Sequence, residues 1–139
     1  MAAWRRRALE LFPQLRRDLS ARDYTVYSLF FDLKPLLRDA YGAGDDGLIR
    51  RMYEFAEWCA RQTAQPLWNA AGVAFYEHLF DYPEYSERAV PWLSPRVVFM
   101  HWELWEAMVA TEEWARVSPL LEAKRSAGER EWNRPGRHT

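Results

Sequence analysis

Apolar residues recur along this chain at intervals of three and four, and no stretch alternates apolar with polar at period two. The pattern predicts an all-α protein of five to six helices. A first amphipathic segment runs from about Trp4 to Leu19 with a break near Pro13. A second runs from Tyr24 to Tyr41 behind a cap at Asp23, kinked or split by Pro35. The run Gly42-Ala43-Gly44-Asp45-Asp46-Gly47 reads as a loop. From about Asp46 to Gln62 the periodicity is clearest: Leu48, Met52, Phe55 and Cys59 fall on one face, widened by Ile49, Ala56 and Ala60. Arg50, Glu54, Glu57 and Arg61 hold the other face, and Trp58 is placed off the stripe, beside Arg51.

Pro66 suits a first helical position and opens a predicted helix from Leu67 to Phe80. Only Asn69, Glu77 and His78 are clearly polar in it, so it is expected to be central and buried. Asp81 to Leu93, with Pro83 and Pro91, is expected to be a connector holding one helical turn. Ser94-Pro95 starts a helix that continues to about Arg116, with Val97, Leu104, Met108 and Ala115 on one face. A short segment from Pro119 to Lys124 follows. From Arg125 to Thr139 the composition turns polar and a frayed tail is expected, leaving residues 1–124 as a single helical domain. Aromatic helix centres at Phe31, Phe55, Tyr76 and Phe99 lie 24, 21 and 23 residues apart. That spacing favours stacked antiparallel hairpins of the HEAT kind over a compact bundle.

The stretches Arg50-Arg51-Met52-Tyr53-Glu54-Phe55-Ala56-Glu57-Trp58-Cys59 and Asn69-Ala70-Ala71-Gly72-Val73-Ala74-Phe75-Tyr76-Glu77-His78-Leu79 resemble an uncharacterised family of small all-helical bacterial proteins. The resemblance covers about Tyr24 to Leu121. It implies a helical fold and supplies no activity.

Composition narrows the chemistry. A length of 139 residues with 49% hydrophobic and 28% charged residues fits one soluble globular domain. A single cysteine excludes an internal disulfide framework and a multi-thiolate zinc site. Met1 to Arg7 carries three arginines but no long apolar run follows, and no span of about 18 apolar residues occurs. The expectation is a cytoplasmic protein without a membrane partner. A net charge of −1 disfavours a dedicated nucleic-acid domain, although residues 1–22 hold six arginines against two acids. Residues 62–123 reverse this, with three arginines against nine acids.

Among groups able to do chemistry, Glu77, His78 and His101 stand out, because each is placed on the apolar side of its helix. Converging in a low-dielectric pocket, they would serve a small-ligand or metal-binding enzyme. Glu77 and His78 point about 100° apart on a helix, and no His-Glu-x-x-His spacing is present, so hydrogen-bonded core residues are the simpler reading. Cys59 lies on an apolar stripe and reads as a small core hydrophobe. The glycines of the Gly42 to Gly47 run lack the lysine and hydroxyl of a phosphate loop, and no cofactor or metal is expected.

The 8 Trp, 7 Tyr and 7 Phe exceed what a small core encloses completely. Trp58, Trp92 and Trp114 are assigned to or near polar faces, where exposed tryptophan anchors partners. With Glu84, Glu87, Glu103, Glu106 and Glu113 they compose an acidic, aromatic surface. The leading expectation is therefore an adaptor or inhibitor-like interaction module for a basic protein partner, with self-association through the same surface as a variant.

Overall fold

An amino-terminal arginine begins the fold by closing a helix end. The computed structural model describes residues 1–135, in two compact units: residues 1–78 and residues 79 onward. In the first unit, α1 (Ala3–Leu11) is stopped by Phe12, and a 3-10 turn (Pro13–Leu15) leads into the short α2 (Arg16–Leu19). The Arg5 guanidinium donates to the carbonyls of Leu19, Ala21 and Tyr24. One cation thus serves the last carbonyl of α2 and two carbonyls of the turn that follows it.

Next comes α3 (Val26–Ala43), capped by Thr25 rather than by Asp23. The Thr25 hydroxyl accepts from the Ser28 amide at 3.1 Å, while the Thr25 amide donates to the Ser28 hydroxyl at 3.3 Å. Pro35 does not split the helix. Its missing amide deprives the carbonyl of Phe31, a residue 56% exposed, so water can supply the donor. The loop expected over Gly42 to Gly47 contracts to two residues: Gly44 takes the left-handed conformation at φ 69°, and Asp45 caps α4 (Asp46–Ala60) by accepting from the Leu48 amide.

The α4 stripe forms the floor of the core, with Ile49, Met52, Phe55, Ala56 and Cys59 almost fully enclosed. Phe55 meets Phe12 edge-on at 5.9 Å and Phe30 at 5.5 Å. Phe75 completes the group, 5.5 Å from Phe30 and 5.4 Å from Tyr53. Ala70, Ala71 and Ala74 give α5 (Gln65–Ala74) a small-residue face that packs on both α3 and α4. The helix expected to reach Phe80 therefore ends at Ala74, where Phe75 leaves helical geometry, and a 3-10 turn follows (Tyr76–His78). Nor is α5 buried all round: Trp68 is 44% exposed.

The second unit contains α6 (Ser86–Ala89), a 3-10 turn (Val90–Trp92), α7 (Pro95–Met108) and α8 (Thr111–Trp132). Ser94 caps α7 as its sequence indicated, accepting from the Val97 amide at 3.2 Å. The helix expected to reach Arg116 stops at Met108, because Val109 and Ala110 adopt extended backbone and the chain reverses. Pro119 sits inside α8 instead of opening a separate segment. The frayed tail expected from Arg125 is helix as far as Trp132, while residues 136–139 lie outside the described residues.

The α7–α8 pair is an antiparallel hairpin, since Trp102 packs edge-on against Trp114 at 4.9 Å and Phe99 meets Trp132 at 6.2 Å. Gly128 is buried where the backbones approach most closely: a Cβ there would lie 2.7 Å from Phe99 Cβ and 2.8 Å from the Pro95 carbonyl carbon. Lys124 donates to the carbonyls of Val90 and Leu93, and Arg116 holds Glu87, Glu113 and the Pro83 carbonyl. Eight α-helices and no strand occur among the described residues, so the count of five to six fell short. The shortfall arises at the two four-residue helices and at the break between α7 and α8.

Candidate functional site

Three tryptophans were expected to project as anchors, and all three are half-buried. Trp58 stacks on Phe55 at 6.2 Å, with the Arg7 guanidinium over its ring. Trp114 is engaged with Trp102, and Trp92 sits in the turn before α7. Their polar sequence neighbours conceal this, because indole is wide enough to reach a core from the border of a helix face.

The acidic residues divide as well. Glu103 and Glu106 are exposed on α7. Glu113 is buried and forms ion-paired hydrogen bonds with Arg116, so it is not a free surface charge. Desolvation pushes its carboxyl up, but hydrogen bonds from Arg116 and Ser86, with the guanidinium charge, outweigh that and hold it below the usual carboxylate range. Arg116 also pairs with Glu87, which ties α8 to α6, and donates to the Pro83 carbonyl in the segment before it.

Glu77 and His78 stand half-buried in the 3-10 turn that closes the first unit, and His101 belongs to the second. His101 donates through Nδ1 to the Val97 carbonyl at 2.9 Å and stacks on Trp105 at 5.5 Å. No group of three or more His, Cys, Asp or Glu side chains placed to hold a metal ion occurs among the described residues. Cys59 is fully buried, and loss of solvation pushes its thiol up to about 12, which removes the thiolate that nucleophilic chemistry needs.

Sequence reasoning missed the outward side of α7. It placed Val97, Leu104, Met108 and Ala115 on the core face; the structure buries Val97 together with Val98, Trp102 and Trp105, but leaves Leu104 half-buried, Ala115 exposed and Met108 53% exposed. Both sides of this helix are apolar at helical spacing, so periodicity alone does not rank them. Ring size is the signal that does, because burying an indole removes more apolar surface from water than burying a thioether. Met100 is 52% exposed one turn before the half-buried Leu104, and Leu120 of α8 is 49% exposed. In the first unit the corresponding exposed groups are Phe31, Trp68 and Val73.

Fold and surface together define an all-helical protein in which large apolar side chains and carboxylates share one exposed helix. The chain belongs to the family described as a domain of unknown function (DUF7674), whose model matches residues 5–99. That match takes in the first unit from α1 and ends in the second turn of α7. No curated protein and no solved structure matches the chain. No helix among the described residues is long and apolar enough to cross a membrane.

Proposed function

We propose that this protein is an interaction module, an adaptor or inhibitor-like protein that offers an apolar and acidic surface to a basic protein partner. The observation that supports it is that one helix exposes both large apolar side chains and carboxylates: Met100 and Met108, and Glu103 and Glu106, of α7. Removing such side chains from water supplies affinity, and the carboxylates steer encounter with a positively charged surface. The half-buried Trp58, Trp92 and Trp114 contribute at most their outer edges, so the anchoring role passes to α7 and to Trp68.

The test is stopped-flow association of the purified protein with a basic partner across a salt series. Association slows steeply with salt in the wild type, and the double variant Glu103→Lys, Glu106→Lys removes most of that dependence. An association rate that neither salt nor the reversal changes overturns the steering role.

A further inference from the structure

We propose that Met100 and Met108 are a reversible oxidation site, at which a hydroperoxide turns the exposed surface of α7 from apolar to polar. The modification stands on the accessibility of sulfur; its effect on association rests on the interaction reading above. The chain has four methionines and one cysteine. Met52 and Cys59 are enclosed in the core of the first unit at 0% exposure, whereas Met100 is 52% and Met108 53% exposed. Met1, at 64%, is the other accessible sulfur and precedes the first helix. The cysteine, ordinarily the sulfur that meets peroxide first, is withdrawn by enclosure and by a thiol proton held up to about 12. Oxidation therefore falls on thioethers, which have no proton to lose before they react.

Placement gives the modification its effect. The exposed residues of α7 are Met100, Glu103, Glu106, Ala107 and Met108. Both large apolar side chains among them are thioethers, about 12 Å apart along the helix. In each transfer the sulfur lone pair forms a bond to one peroxide oxygen and the O–O bond breaks. The departing oxygen takes up the proton of the transferred one and leaves as water or an alcohol. Sulfur loses two electrons and the peroxide gains them. The sulfoxide is polar, so two transfers leave Ala107 as the one exposed apolar residue of α7. The added oxygens meet water, and the fold keeps its packing; at Met52 the same oxygen would disrupt the core. A dithiol-dependent sulfoxide reductase reverses the step, its two thiols becoming a disulfide while the oxygen leaves as water.

The experiment treats the full chain with dilute hydrogen peroxide at neutral pH and maps the added oxygen by peptide mass spectrometry. Met100 and Met108 each gain one oxygen, at rates within about fivefold of Met1, the exposed internal reference. Met52 and Cys59 react about a hundredfold more slowly or less, because reaction there waits on opening of the core. Circular dichroism stays native, and the oxidised protein elutes earlier from a phenyl column than the untreated one. Met100→Gln with Met108→Gln elutes early without peroxide, and Met100→Leu with Met108→Leu keeps its late elution after it. Methionine sulfoxide reductases of both epimer specificities, supplied with dithiothreitol, restore the late elution of the oxidised wild type. Oxidation of Met52 or Cys59 as fast as Met100 overturns the site. Unchanged elution once both α7 sulfurs carry oxygen overturns the switch in surface character, and sulfoxides that the reductases leave in place overturn its reversibility. Every readout is made without a partner, so failure here is distinct from failure of the stopped-flow test of the interaction reading.

Discussion

Replacing Gly128 by alanine tests the α7–α8 crossing directly. On helix propensity alone the change is favourable, by up to about 1 kcal/mol, because alanine loses less backbone entropy. The structure predicts the opposite sign. The added methyl carbon would overlap the Pro95 carbonyl oxygen and lie 2.7 Å from Phe99 Cβ. Both obstacles are on or next to the backbone, so no flexible side-chain end can swing away. Overpacking of this kind costs about 1–3 kcal/mol, and more where backbone must shift. Net destabilisation of about 1–2 kcal/mol corresponds to a fall of about 4–16 °C in Tm for a unit of this size. Gly47→Ala is the control: its Cβ meets only the Arg51 guanidinium at 3.5 Å and the Asp45 carboxylate at 3.7 Å, ordinary contacts. That variant should hold or raise Tm. Thermal unfolding followed by far-ultraviolet circular dichroism reads both. A Gly128→Ala protein as stable as Gly47→Ala would refute the close crossing of α7 and α8.

Two further outcomes depend on pH. Burial raises Tyr53 and Tyr76 well above their ordinary value of 10.0, with Tyr41 and Glu57 respectively adding to the effect, and Cys59 is pushed up to about 12. Above these ordinary values the unfolded chain gives up protons that the folded chain keeps. Stability is therefore complete below pH 9 and falls as pH rises, by about 1.4 kcal/mol per unit for each group. Urea unfolding at a series of alkaline pH values should show this, with a shallower slope in Tyr53→Phe; tyrosinate absorbance from all tyrosines while the fold persists would contradict it. Glu113 has the opposite sign: its carboxyl is held below its ordinary 4.5, so its contribution is present above that value and lost as pH falls. Glu113→Gln should flatten the acid limb of the stability profile, and an unchanged limb would show that the Arg116 pairing does not stabilise the fold.

Helical class was legible in the chain because it depends on local periodicity and punctuation. The α4 stripe and the Ser94-Pro95 start are complete in a dozen residues each, and the structure reproduces both. Boundaries were legible only where a residue forces them. Phe75 ends α5, and Val109 and Ala110 separate α7 from α8, with no glycine or proline at either break. What stops these helices is packing, to which a local pattern is blind. The tail shows the converse: residues 125–132 look polar and frayed by composition, yet Gly128 and Trp132 find partners on α7 about 30 residues away in sequence.

The candidate surface divides in the same way. Sequence alone determined that the middle of the chain is acidic, that aromatic rings are plentiful and that a lone cysteine lies on an apolar stripe. Whether a given ring or carboxylate faces water is a property of what packs over it. Glu113 and Glu106 are alike in a sequence window, but one is enclosed beside Arg116 and the other is exposed. Trp114 and Trp68 differ likewise, since only Trp114 has a second tryptophan to pack against. On α7 two apolar sides competed for one core, and tertiary structure chose the side with two indoles, because enclosing them removes the larger apolar area from water. The methionine side was left outward by that choice.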